Sequence, residues 1–226
     1  MTLNRLDRMW GRYGEAFRLH AHQLLLWAHG DVRDRFHPGL DEPSMTGLLA
    51  DAMKRRLSEH PGTPKAFDCY WIGDQEPHSP AGELGNDRLR LDITIIRNGI
   101  RPRITYVLEA KRLRTGGFPI GEYVGEGGMG DLVSGRYAAD APEAAMVGLF
   151  ENQTVSYWHD ELRRRFDQDT ESPVPQLSIM QGLVSKVVLA DLAGELESRH
   201  GRADGSVLIL HHIFLDCSCR SAPSGP

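Results

Sequence analysis

The sequence predicts a mixed α/β protein in which helices flank a central β-sheet. Three features support this: long segments with apolar residues at helical spacing, two strand-like segments joined by Asn98-Gly99, and a strand-like run at 206–216. With 40% hydrophobic and 25% charged residues, the composition is that of an ordinary globular protein and excludes a disordered or fibrous chain.

The first sixty residues predict two helices. Residues 3–34 carry a broad apolar face, and a break follows at His37-Pro38-Gly39. Asp41-Glu42-Pro43 then supplies the acidic residues and the proline that suit the first turn of a helix, and apolar residues recur up to Leu57. We expect this second helix to end near His60, ahead of a proline and a glycine.

The rest of the chain predicts strands and further helices. Residues 66–72 predict a short strand. The segments 89–95 and 104–110 predict a hairpin, because the first alternates apolar and polar residues and Asn98-Gly99 is a strong turn signal. A glycine-rich stretch at 121–130 leads into a predicted helix. The remaining predicted elements are a helix at 142–166, a helix at 177–200 and a strand at 206–216.

We expect one main domain at 41–216, an N-terminal helical extension at 1–40 and a flexible tail at 217–226. The longest apolar run, residues 24–28, is far shorter than the roughly 20 residues that span a bilayer. The N-terminus shows no secretory signal, and three cysteines are too few for a disulfide framework. A cytoplasmic protein that does not associate with membranes is therefore expected.

The predicted hairpin carries the residues best suited to catalysis. Glu109 and Lys111 are two positions apart and therefore project from one face of their strand. Asp92, on the other strand, is placed to converge with them. Two adjacent carboxylates suit Mg²⁺, and a lysine beside the ion can orient or deprotonate a water and offset charge on a phosphate. The pattern indicates a site for phosphodiester hydrolysis.

The run RLRLDITIIRNGIRPRITYVLEAKRL resembles the PD-(D/E)XK nuclease superfamily. Its signature is an acidic residue on one strand followed by a Glu-X-Lys or Asp-X-Lys triplet on the adjacent strand. Asp92 matches the acid and Glu109-Ala110-Lys111 matches the triplet, whereas Leu91 stands where the name of the superfamily has proline. Glu42 fits the additional glutamate that members often carry on the helix ahead of the sheet.

The resemblance implies a restriction-endonuclease-like fold, with the long N-terminal helix as an addition. It implies Mg²⁺, with Mn²⁺ as an alternative, held by Asp92, Glu109, Glu42 and the carbonyl of Ala110. It also gives Lys111 a catalytic role beside the three carboxylates. The downstream stretch GEYVGEGGMGDLVSGRYA is similar to bacterial proteins of this superfamily that are associated with restriction and phage defence. The resemblance implies that this stretch leads into a helix packed over the site.

The charge distribution favours a nucleic-acid substrate, with DNA preferred. The whole chain carries a net charge of −5, but residues 87–114 hold eight basic and three acidic residues, which leaves −10 for the remainder. A basic segment around the candidate site is what binding to a phosphate backbone requires. The expected phosphate contacts are Arg112 and Arg114, directly after the triplet, together with Arg90.

Other interpretations remain open. The same charges suit the solvated face of an ordinary hairpin, or a plain scaffold with no role in nucleic-acid chemistry. A second functional hypothesis is a catalytically inactive or partner-dependent subunit of a larger defence complex, with the N-terminal helix as its docking element. Nucleases of this fold often dimerise, so a homodimer is an expectation of the resemblance.

Overall fold

A computed structural model describes residues 5–78, 89–172, 176–192 and 194–218, with the side chains of residues 7, 76–78 and 89–90 outside it. The chain forms a seven-stranded mixed sheet with helices on both faces. The helices are α1 (Arg5–Val32), α2 (Glu42–Ser58), α3 (Ile120–Val124), α4 (Met129–Val133) and α5 (Val155–Glu171). The strands are β1 (Tyr70–His78), β2 (Leu89–Arg97), β3 (Ile104–Leu113), β4 (Glu143–Phe150), β5 (Ile179–Ser185), β6 (Leu196–Gly201) and β7 (Val207–Asp216).

The strands are arranged in the order β1-β2-β3-β4-β7-β6-β5. β1, β2 and β3 pair in antiparallel fashion, β3, β4 and β7 pair in parallel, and β6 and β5 return to antiparallel pairing. β3 is therefore the strand at which the sheet changes from antiparallel to parallel pairing. The connection from β3 to β4 includes α3 and α4.

Each face of the sheet has its own hydrophobic core. α1 and α2 pack on one face, against side chains such as Tyr106 and Leu108 of β3. α3, α4 and α5 pack on the other face, against Val107 and Leu113 of the same strand. The long N-terminal helix is part of the first core, because Phe17, Leu24 and other residues of α1 are fully buried there.

The predicted α/β class, the two N-terminal helices and the hairpin are confirmed. α2 begins where the sequence places it: the Asp41 side chain accepts a hydrogen bond from the Ser44 amide at 2.9 Å, and Pro43 occupies the first turn. Gly99, between β2 and β3, has a φ of +78°, which favours glycine at this turn. Within the described ranges, no helix has the length and hydropathy needed to cross a bilayer.

The predicted helix at 142–166 is wrong in its first half. Residues 143–150 form β4, which lies between two parallel strands and is buried along almost its whole length. A central parallel strand appears in the sequence as a continuous run of apolar residues. In β4 this run contains alanine and methionine, which also favour helices, so the pattern resembled a helix. The helix begins only after Thr154, whose hydroxyl accepts from the Tyr157 amide at 3.2 Å.

The predicted helix at 177–200 is also wrong. This segment forms β5 and β6, and β5 is an edge strand with register irregularities against its neighbour. Apolar residues spread along a bulged edge strand and a loop can imitate helical spacing. At the C-terminus the strand at 206–216 is confirmed as β7. Cys217, expected in the flexible tail, is buried and donates its amide to the carbonyl of Phe150 at 2.8 Å. Residues 219–226 lie outside the described part.

Gly148 of β4 provides a test of the packing between the central strands. It pairs with Lys111 of β3 on one side and with Phe214 of β7 on the other. A Cβ atom here would lie 2.7 Å from Phe214 Cδ1 and 2.8 Å from Leu113 Cδ1. We expect Gly148→Ala to lower the free energy of unfolding by about 1–3 kcal/mol in urea titrations. Gly182→Ala, on the open edge strand, should change it far less, and equal losses would contradict this account.

A chain of buried hydrogen bonds links the sheet to α3. Ser198 Oγ lies 2.7 Å from His200 Nε2 and 2.8 Å from His212 Nε2. His200 Nδ1 lies 2.6 Å from the Leu177 carbonyl, and His212 Nδ1 lies 3.0 Å from the Tyr123 hydroxyl. Burial lowers the pKa of both histidines, which therefore favour their neutral forms. A carbonyl oxygen can only accept a hydrogen bond, so His200 carries its proton on Nδ1, which donates to the Leu177 carbonyl. Its Nε2 then accepts a hydrogen bond from the Ser198 hydroxyl.

These neutral histidines predict a loss of stability in mild acid. The unfolded chain takes up protons as the pH falls below the ordinary histidine pKa of 6.5, whereas the folded chain resists protonation at His200 and His212. Each such group costs up to about 1.4 kcal/mol per pH unit. Urea midpoints measured between about pH 7 and about pH 5.5 should fall accordingly. His200→Gln should reduce the slope and the exposed His60→Gln should not; identical slopes would refute the assignment.

Candidate active site

The site forms where β2 and β3 separate. Their ladder ends at the pair Ile93 and Leu108, after which β3 continues by pairing with β4. Beyond that point the Asp92 side chain makes the contact to β3 in place of the backbone, and its Oδ2 accepts a hydrogen bond from the Ala110 amide at 2.9 Å. Asp92 therefore lies against the Glu-Ala-Lys triplet, held by the triplet's own backbone.

Lys111 joins the remaining acidic residues. Its Nζ donates to Glu109 Oε1 at 3.0 Å and to Glu42 Oε1 at 2.9 Å. Glu42 lies in the first turn of α2, and its second oxygen accepts the Arg112 amide at 2.8 Å. The structure thus brings together all four side chains that the sequence selected as catalytic.

Burial shapes the electrostatics of this cluster. It raises the pKa of Glu109 well above its ordinary value, and the neighbouring Asp92 carboxylate adds to the effect. Burial also raises the pKa of Asp92, although Lys111 and the Ala110 amide oppose it. For Lys111, burial alone would lower the pKa, but the carboxylates of Glu109 and Glu42 outweigh it and raise the pKa. The positive charge near these carboxylates does not fully offset the cost of burying them in their ionised form.

The donor set fits a hard divalent cation such as Mg²⁺. Glu109 is only 3% exposed, and its Oε2 is a buried oxygen without a hydrogen-bond partner among the described residues. An orphaned carboxylate oxygen beside a second carboxylate is chemically suited to a cation, and Mg²⁺ needs only one or two protein carboxylates because it keeps several waters.

The carboxylates suited to bind the cation are those of Asp92 and Glu109, and not that of Glu42. Within the described ranges, no group of three or more histidine, cysteine, aspartate or glutamate side chains is arranged to hold a metal. Glu42 Oε1 is paired with the Lys111 ammonium and its Oε2 accepts the Arg112 amide, whereas Asp92 accepts only from neutral donors, so Glu42 is better placed to position the lysine. Ala110 lies on β3 between the two ends of the triplet, and a ligand role for its carbonyl remains a prediction.

Two further residues complete the surroundings of the site. Gln75 Nε2 donates to Asp92 Oδ1 at 2.9 Å from a backbone with a φ of +49°, a conformation that glutamine rarely adopts. The Tyr137 hydroxyl has its pKa raised to about 12, first by burial and then by the Glu109 carboxylate. Sequence reasoning missed Gln75, because nothing in a short strand marks one polar residue as the partner of an acid 17 residues further along the chain. Tyr137 falls in the segment that was expected to cover the site.

The arginines do not form one basic face. Arg112 is buried: its guanidinium pairs with Glu151, donates to the Pro38 carbonyl at 3.0 Å and lies over the Phe118 ring. The prediction that it contacts phosphate does not agree with this position, because the side chain projects from the face of β3 opposite to Lys111. Arg114 is partly exposed and lies 3.6 Å from Glu151, so a phosphate role remains a prediction. The side chain of Arg90 lies outside the described residues.

Comparison of the chain with protein-family models, with curated proteins and with solved structures gives no match in any of the three.

Proposed function

We propose that this protein is a Mg²⁺-dependent nuclease with a restriction-endonuclease-like fold, cutting phosphodiester bonds of DNA in a cytoplasmic restriction or phage-defence role. The observation that carries the proposal is the convergence of Asp92, Glu109 and Lys111, with Glu109 Oε2 left without a hydrogen-bond partner among the described residues. Support also comes from the order of elements: a glutamate-bearing helix precedes three antiparallel strands, and the last two strands carry the acid and the triplet.

The roles of the side chains follow from their contacts. Asp92 and Glu109 would hold the cation, which when bound polarises the phosphate and makes a water more acidic. Lys111, restrained by Glu42 and Glu109, would donate a hydrogen bond to the attacking water and offset negative charge that develops on the phosphate. Glu42 would keep the ammonium group in place from the start of α2, since it also anchors the adjacent backbone.

The proposal is tested by incubating the purified full chain with supercoiled plasmid and with linear single-stranded DNA. We expect cleavage in Mg²⁺ or Mn²⁺ and none in EDTA. Mg²⁺ should also raise the melting temperature, because a ligand that binds only the folded state stabilises it. An absence of cleavage together with an unchanged melting temperature would argue against the assignment.

A second candidate is a subunit of a defence complex that needs a partner to expose the site. The observation that favours it is burial: Glu109 is almost inaccessible and the Lys111 side chain is only 14% exposed. Such a chain would bind Mg²⁺ and gain thermal stability without cutting DNA by itself. Cleavage by the isolated chain at a catalytic rate would remove this candidate.

A further inference from the structure

A cavity of about 460 Å³ lies over β2 and β3, the two strands that carry Asp92 and Glu109. Its floor consists of side chains from two neighbouring strands, namely Thr94 and Ile96 of β2 with Thr105 and Val107 of β3. Its walls come from the N-terminal part of α1, from Trp71 of β1 and from residues 138–141. The volume is within the range of about 300–1,000 Å³ that is typical of pockets for small organic groups.

The cavity and the candidate site share one face of the sheet. Val107 in the floor and Glu109 in the site are two residues apart on β3, so their side chains project to the same side. Neighbouring side chains on one face of a strand lie about 7 Å apart, so the Val107 end of the cavity is next to Glu109.

The lining suits a flat group with polar edges. The floor and walls are largely apolar, and the indole of Trp71 is 45% exposed at the edge strand. Thr94 is 5% exposed, and its Oγ1 is buried without a hydrogen-bond partner in the part of the chain that the structure describes. Two exposed charged residues of opposite sign, Arg103 and Asp140, also line the cavity.

We propose that this cavity receives an unstacked nucleobase of a single-stranded nucleic acid whose phosphate lies at the candidate site. A base has apolar faces for the walls and the Trp71 indole, and its edge has donors and acceptors for Thr94 Oγ1. Arg103 complements the charge of the backbone that enters with the base. This inference rests on the proposed function and adds to it a substrate class: strands with unpaired bases.

A stacked duplex does not fit this description. The bases of a duplex present only their edges to a protein, so entry into the cavity requires a single strand or an extruded nucleotide. An apolar peptide would be an alternative occupant of the walls, but it has no phosphate to place at the candidate site. The geometry therefore favours the base.

The test measures binding by fluorescence anisotropy with a labelled single-stranded DNA oligonucleotide, its duplex, and versions with one abasic position. Ca²⁺ replaces Mg²⁺ so that the strand stays intact. We expect Trp71→Ala to weaken single-strand binding about 10- to 100-fold. Thr94→Val, which replaces only the hydroxyl, should weaken it about 3- to 10-fold. Met180→Ala, an exposed apolar residue on β5, is the matched control and should bind as the wild type does.

The abasic oligonucleotides make the result specific to the base. At one position, loss of the base should weaken binding to the wild type and add nothing in Trp71→Ala, because both changes remove the same contact. Unchanged single-strand affinity in Trp71→Ala and Thr94→Val would overturn the base pocket, even if the wild type cleaves DNA. Conversely, base-dependent binding in a protein that neither cleaves DNA nor gains thermal stability from Mg²⁺ would support the pocket and refute the nuclease.

Discussion

Replacing Lys111 by alanine is expected to lower Mg²⁺-dependent DNA cleavage by about 10²–10⁴-fold. The ammonium group lies 2.9–3.0 Å from the oxygens of Glu42 and Glu109, so the carboxylates hold it where a water or phosphate oxygen would meet it. The methyl group of alanine can neither donate a hydrogen bond nor offset charge. Initial rates of plasmid nicking, measured at saturating Mg²⁺, give the effect directly.

Two further variants separate catalysis from folding. Removal of Lys111 leaves Glu109 buried without its cation, which also costs stability, so circular dichroism must show a folded protein. Asp92→Asn keeps the shape of the side chain and removes its charge, and we expect a comparable loss of cleavage. Lys65→Ala removes an exposed lysine on the same chain and should cleave normally. Wild-type rates in folded Lys111→Ala and Asp92→Asn would refute the assigned roles.

Replacing Arg202 by alanine is expected to lower the free energy of unfolding by about 3–5 kcal/mol. Its guanidinium is buried and donates five hydrogen bonds at 2.8–3.3 Å, all to main-chain carbonyls of the segment that includes Tyr137. Those carbonyls belong to Leu132, Ala138, Ala139 and Ala141. With the donors gone, buried acceptors lose their partners, and the cost of each adds to the loss.

Urea unfolding monitored by tryptophan fluorescence measures this loss. Arg202→Lys keeps the positive charge but lacks the planar guanidinium group, so it should recover little of the stability. It serves as a second variant if the alanine protein does not fold. Arg199→Ala, three residues earlier and within β6, removes a side chain that is 47% exposed and should cost no more than about 0.5 kcal/mol. Equal midpoints for Arg199→Ala and Arg202→Ala would show that the bonds are not stabilising.

The site could be predicted from sequence because its residues follow local rules. Alternation places Glu109 and Lys111 on one face, the Asn98-Gly99 turn brings Asp92 opposite, and Asp41 with Pro43 marks the helix start that carries Glu42. Each of these signals lies within a few residues of the structural feature that it predicts. The convergence of α2 with the hairpin needed the resemblance as well, since no local rule relates residues 42 and 111.

The C-terminal half could not be predicted in the same way. β4 is a strand because β3 and β7 pair with it on both sides, and that long-range pairing overrides the helix preference of its alanines and methionine. β5 and β6 are an irregular edge pair whose apolar residues have no regular period. The position of Arg112 was missed for a related reason: alternation sets its face, but only the fold supplies Glu151 as a buried partner.

The change of pairing at β3 has a consequence for access to the site. Antiparallel neighbours can be joined by a short turn, but a parallel neighbour requires a connection that travels back over the sheet. That return path, residues 114–142, packs on the side of β3 that also carries Glu109 and Lys111. A cover over the carboxylates is thus built into the topology, and we expect insertions or deletions in this connection to change how accessible the candidate site is.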